Sequence, residues 1–136
     1  MSLVLDCSVV CGFIFENQRT PYALRVAEVL KQRQGLVPSL FVFEIANVLM
    51  TQERRKQWSS EATAEFWRLL EQWRLRVGET GTLHQGRGLL ALARRHQLSA
   101  YDAGYLALAL EYRFPLATQD ALLKKAAISE GLFFEE

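Results

Sequence analysis

The chain opens on Met1-Ser2-Leu3-Val4-Leu5-Asp6, an apolar run that stops at a carboxylate. Its brevity and polar end predict a buried strand rather than a helix. A helix over residues 9–15 follows. Pro21 then suits a first helical turn, and Ala23, Val26, Ala27 and Leu30 recur at helical spacing, which predicts a helix to about Lys31 with Gly35 as its stop. Leu36-Val37 predicts a second strand ended by Pro38, and Ser39 is the cap candidate for a helix over residues 40–56. Ser59 or Ser60 caps the next helix, where Phe66, Leu69, Leu70, Trp73 and Val77 make one stripe, so that the two helices form a long hairpin. Residues 78–82 read as loop, and Leu83 fits a minimal strand. Leu89, Leu90 and Ala93 suit a helix ending near His96. Ser99 starts another, with Ala103, Leu106, Ala107 and Leu110 as its buried stripe. Pro115-Leu116-Ala117 reads as a third strand, Asp120 opens a short helix through Ala127, Gly131 breaks it, and Leu132-Phe133-Phe134 reads as a last strand.

Strands alternating with helices define an α/β protein, a three-layer α/β/α sandwich whose mostly parallel sheet is covered on both faces. A length of 136 residues, with no repeat, low-complexity tract or linker, suits a single domain over 1–136. Half the residues are hydrophobic and the formal charge is +1, which excludes a disordered chain and argues against a general nucleic-acid coat protein. An enzyme acting on nucleic acid is still open, because basic patches around an acidic site nearly cancel in the total. Cys7 and Cys11, four apart, read as small buried side chains in a reducing cytosol; a zinc site would want more thiols or imidazoles, and His84 and His96 have no ligand spacing. The N-terminus meets Asp6 too early for a signal-peptide core, and no apolar run reaches membrane-spanning length, so the expected location is the cytoplasm.

In an open α/β sheet, sites form at the carboxyl ends of the strands. Asp6 ends the first strand, Asp120 follows Leu116-Ala117-Thr118, Glu44 lies about a turn into the helix after Leu36-Val37, and Asp102 sits in the first turn of its helix. Each has a structural explanation beside the functional one. Ser99 with Asp102 resembles a capping box, and Asp120 suits an N-cap. Asp6 risks burial and needs a partner. Glu44, Asn47 and Thr51 make a polar row on an otherwise apolar helix, either a solvated face or part of a site. If the four acids converge they repel, and a hard cation such as Mg²⁺ or Mn²⁺ is the simplest remedy. Ser8 and Thr118 suit either ordinary turns or hydroxyls that orient a carboxylate. Arg54-Arg55-Lys56, Arg94-Arg95 and Lys124-Lys125 fall near helix C-termini and would hold phosphates if they border the pocket.

Taken in order, four segments resemble those of the PIN-domain nucleases, in particular the toxins of bacterial and archaeal type II toxin-antitoxin pairs. They are Val4-Leu5-Asp6-Cys7-Ser8-Val9, Val37-Pro38-Ser39 through Phe43-Glu44-Ile45-Ala46-Asn47, Leu98-Ser99-Ala100-Tyr101-Asp102-Ala103, and Leu116-Ala117-Thr118-Gln119-Asp120. The resemblance covers essentially the whole chain. It implies a Mg²⁺- or Mn²⁺-dependent endoribonuclease, a homodimer, and neutralisation by a cognate antitoxin whose tail inserts toward the acidic pocket. It makes Asp6, Glu44, Asp102 and Asp120 catalytic and metal-site residues, with Ser8, Asn47 and Thr118 as accessory positions. Cys7 after the first acid and Gly104 in the third-acid helix depart from the usual pattern without removing a ligand.

Two other readings fit an acidic α/β pocket: a PIN fold kept as a binding module without catalysis, and a phospho-receiver domain. The receiver wants paired acids after the first strand and a late lysine, where this chain offers Glu44 on a helix. An aspartyl-nucleophile phosphatase would need an aspartate at position 8, which is Ser8.

Overall fold

The computed structural model describes residues 2–78 and 83–135. Four strands, β1 (Ser2–Leu5), β2 (Gln34–Pro38), β3 (Arg76–Gly78) and β4 (Leu116–Ala117), form an all-parallel sheet in the order β3-β2-β1-β4. Seven helices are described: α1 (Cys7–Ile14), α2 (Pro21–Val29), α3 (Leu40–Arg54), α4 (Ser60–Gln72), α5 (Gly86–His96), α6 (Ala100–Tyr112) and α7 (Ala121–Ser129). Leu3, Val4 and Leu5 are all fully buried. Successive side chains point to opposite faces of a strand, so the middle of the sheet is covered on both sides, as the α/β reading requires.

Most predicted elements form, and the differences have local causes. Gly35 does not stop α2, which ends at Val29; it lies inside β2. A Cβ there would sit 2.7 Å from Leu75, 3.0 Å from Leu5 and 3.2 Å from Leu30, so the strand packs against leucines with room only for hydrogen. Gly35→Ala is expected to destabilise the fold by about 1–3 kcal/mol through overpacking, read as a lower urea midpoint. The aromatic stripe of α4 does not extend to Val77, because Arg74 takes the left-handed region (φ 52°) and releases the chain into β3. Leu83 opens a 3₁₀ turn with its side chain exposed rather than joining a strand. Of the loop expected over 78–82, Gly78 ends β3 and residues 79–82 lie outside the described residues. The last apolar run makes only a single parallel bridge, Phe133 to Leu116, since β4 is two residues long.

α6 departs furthest from its predicted stripe. Ala103, Gly104, Tyr105, Leu106, Leu108 and Ala109 are buried, while Ala107 and Leu110 are half-buried. The helix packs against β1, β2 and β4 with α5 and α7 beside it, so it is enclosed on several sides. α4 directs Phe66 into the core, where its ring lies 5.4 Å from Phe15 and 5.9 Å from Trp58. Phe66 therefore serves the interior, while Trp67 and Trp73 are half-buried against the core.

Candidate active site

Register brings the first and last acids together. Val4 pairs with Leu116 and Leu5 with Ala117, and the Asp6 amide continues the ladder by donating to the Ala117 carbonyl at 3.0 Å. Asp6 therefore emerges beside Thr118. Although Asp6 occupies the N-cap of α1, its side chain makes no capping hydrogen bond. Its Oδ2 instead accepts from the Ser8 hydroxyl at 2.7 Å and the Thr118 hydroxyl at 2.8 Å. Asp6 and Thr118 are the two buried polar side chains among the described residues.

A wider network holds this junction. Ser8 Oγ accepts from the Gln119 amide at 2.9 Å, and the Gln119 side-chain amide donates to the Ser8 carbonyl at 3.1 Å. The Thr20 hydroxyl donates to Gln119 Oε1 while also capping α2 through the Ala23 amide. The Asp120 amide donates to Thr118 Oγ1 at 3.0 Å, and Asp120 Oδ2 caps α7 through the Leu123 amide at 2.9 Å. The capping reading of Asp120 is thus correct, and it leaves one carboxylate oxygen outside that bond.

Glu44 reaches the same end of the sheet from α3, half-buried, and accepts from the Tyr105 hydroxyl at 2.5 Å. Tyr105 is fully buried; burial first and the Glu44 carboxylate next hold its phenol protonated far above the usual range, so it is a fixed donor. Asp102 is in the first turn of α6, where Ser99 Oγ caps its amide at 3.1 Å. Asn47 is exposed on α3, one turn beyond Glu44, and its neighbours on that exposed face are largely apolar: Val42, Phe43 and Met50. The polar row thus runs from half-buried Glu44 through exposed Asn47 to half-buried Thr51, along the edge of the exposed face of α3.

Electrostatics tie the acids to one another. Burial pushes the Asp6 carboxyl up, the Ser8, Thr118 and Cys7 hydrogen bonds pull it back, and Asp120 raises it further. Burial also raises Glu44, opposed by the Tyr105 hydrogen bond and reinforced by Asp6 and Asp102. Asp102 is raised by burial, then by Asp6 and Asp120, against a Ser99 hydrogen bond. The charged groups that move these three carboxyls are all carboxylates. Among the described residues no three Asp, Glu, His or Cys side chains close into a formed metal cage. The acids share one electrostatic neighbourhood without closing on a common point. That donor set of oxygen anions without a cation among them fits a hard divalent ion that keeps several of its waters.

Cys7 and Cys11 lie on one face of α1 with sulfurs 3.9 Å apart, both thiols free. Cys11 is buried, as expected for a small apolar side chain, and Cys7 is half-buried. Tyr105 is the site residue that sequence reasoning missed; a polar-tipped side chain within an apolar helix, three residues after Asp102, was the available signal.

The PIN domain profile matches residues 3–129, and the chain belongs to that family. PIN domains are generally nucleases and typically work with a divalent metal. The fold is similar to that of PAE2754 from Pyrobaculum aerophilum, with a TM-score of 0.70 at 21% identity, covering 93% of this chain and 79% of that one. No curated protein matches the sequence. No helix among the described residues is long and apolar enough to cross a membrane.

Proposed function

We propose that this chain, acting as one domain over 1–136, is a Mg²⁺- or Mn²⁺-dependent endoribonuclease that hydrolyses phosphodiester bonds in RNA. The observation that carries the reading is that Asp6, Glu44 and Asp102, from three separate segments, are raised by burial and by neighbouring carboxylates, Asp120 among them, with no cation among the charged groups that move them. Asp6, Glu44, Asp102 and Asp120 would hold the ion. When bound, the ion supplies Lewis acidity toward the phosphate and acidifies water. Ser8 and Thr118 fix the Asp6 carboxylate through its Oδ2, and the α7 cap fixes Asp120. Tyr105 orients Glu44, and Asn47, exposed one turn further along α3, would meet substrate at the rim. Total RNA incubated with Mg²⁺, with Mn²⁺ and with EDTA tests this: cleavage with either metal and none in EDTA is expected. Metal binding without cleavage would favour the binding-module alternative.

The orienting role of Tyr105 has its own expected outcome. Tyr105→Phe keeps the ring packing and removes the donor. It should lower Mn²⁺ affinity by about 10–100-fold, the usual effect of losing a group that orients a metal ligand, with a stability cost of about 1 kcal/mol. Calorimetric titration of Mn²⁺ and a thermal melt read the two effects separately.

The biological role we assign is the toxin of a toxin-antitoxin pair, working in the cytoplasm, held as a homodimer and silenced by a cognate antitoxin whose tail enters the acidic pocket. Family membership supports this, as does the exposed apolar face of α3, where Phe43 is 78% exposed next to Glu44. Growth arrest on expression, relieved by the product of an adjacent small gene, is the expected result.

A further inference from the structure

A second concavity lies at the opposite end of the sheet. The chain between α2 and β2 and the C-terminal end of α4 border an open cleft of about 600 Å³, within the range of small-ligand pockets. β2 runs from this cavity at Gln34 to the acidic pocket beyond Pro38, so the two are separated by roughly 15 Å at about 3.3 Å per strand residue.

Its lining is unlike the acidic site. Lys31, Arg33 and Arg74 contribute three cations, and no carboxylate lines the cavity. Lys31 is paired with Glu28 at 2.9 Å, whereas among the described residues Arg33 and Arg74 are in no ion pair. Trp73 also lines it, half-buried and propped by the Phe13 ring at 5.0 Å with a 49° tilt. The Gln34 side-chain amide donates to the Arg74 carbonyl at 2.6 Å and the Gly35 carbonyl at 3.1 Å, tying the two walls together.

We infer that this cavity is a nucleotide site, with a base stacked on Trp73 and its phosphate held between Arg33 and Arg74. Inorganic phosphate alone would not use the accessible part of the indole, and an apolar ligand would strip water from two guanidinium groups in its lining with nothing to replace it. A nucleotide uses both, since base-aromatic stacking and arginine-phosphate pairing are the two recurrent terms in recognition of single strands. The inference does not depend on the acidic site being catalytic.

The test uses the whole chain in EDTA, which suppresses metal-dependent cleavage. A fluorescent oligouridylate of about 10 nucleotides and AMP are titrated against wild type and Arg33→Ala/Arg74→Ala. Both arginines are partly or fully exposed, so the variant should fold. It is expected to weaken oligonucleotide binding by about 5–20-fold and to flatten the dependence of log affinity on log salt by about 1–2, as loss of two phosphate contacts requires. A strand carrying 4-thiouridine should photo-crosslink to the peptide containing Trp73. Displacement of the strand by AMP identifies a free nucleotide as the ligand, and binding of the strand alone identifies a segment of nucleic acid; both support the site. Unchanged affinity and salt slope in the double variant, or adducts confined to other peptides, overturns it. Loss of nuclease activity in an acidic-site variant leaves this binding untouched, so the two readings fail separately.

Discussion

Asp6→Asn is expected to abolish metal-dependent RNA cleavage, a loss of at least about 10²-fold in kcat/KM, while the protein folds as before. The expectation follows from how the carboxylate is held. Both hydroxyl donors, from Ser8 and Thr118, converge on Oδ2. The amide oxygen of asparagine accepts both bonds, so the junction between β1 and β4 keeps its two hydroxyl contacts while the charge is lost. Burial and Asp120 raise the Asp6 carboxyl above its ordinary value, so ionising it at neutral pH costs folding free energy. In EDTA at pH 7 the variant should therefore melt at the same temperature as wild type or higher, and the difference should vanish in acid. A variant that unfolds would make Asp6 a structural residue, and one that cleaves like wild type would remove it from the machinery. Asp120→Ala differs in kind: it also deletes the α7 cap, at a cost of about 1 kcal/mol, so its activity loss must be read beside its melt.

The acids were legible because each follows an apolar run or a helix start, where chain connectivity alone sends it to one end of a parallel sheet. Asp6 after Leu3-Val4-Leu5 and Asp120 after Leu116-Ala117-Thr118 needed only the assumption that the two strands are neighbours, which the sheet bears out. Asp102 and Asp120 read as either caps or site residues, and the structure places both at helix starts within the same field of charge. Tyr105 was not legible because periodicity carries information only when one side of a helix meets water. α6 is enclosed by the sheet and two helices, so its stripe is smeared and a buried phenol looks like any other core residue. The failure at Val77 was conformational. A left-handed Arg74 ended the helix, and no glycine or proline announced it. Gly35 was misread for the converse reason, since its meaning lay in close packing against Leu5 and Leu75, both distant in the chain, as well as Leu30.

The stability of the metal-free protein should fall as the pH rises from the ordinary carboxylate range toward neutrality. Asp6, Glu44 and Asp102 all have raised pKa values in the folded state, so between the ordinary values and the raised ones the folded chain holds more protons than the unfolded chain. Stability then declines with pH across that window, and these groups destabilise the apo fold once all are ionised. A divalent cation reverses the sign, because it binds only the ionised pocket of the folded chain. At a concentration 100-fold above Kd it should add about 2.7 kcal/mol, raising Tm by about 10 °C for a chain of this size. The shift should be full at neutral pH and shrink in acid, where protons compete for the same oxygens. Thermal melts with Mg²⁺ and with EDTA at several pH values read both slopes. A metal shift that persists unchanged in acid, or survives in Asp6→Asn, would place the ion elsewhere on the molecule and leave the carboxylates as four unrelated structural groups.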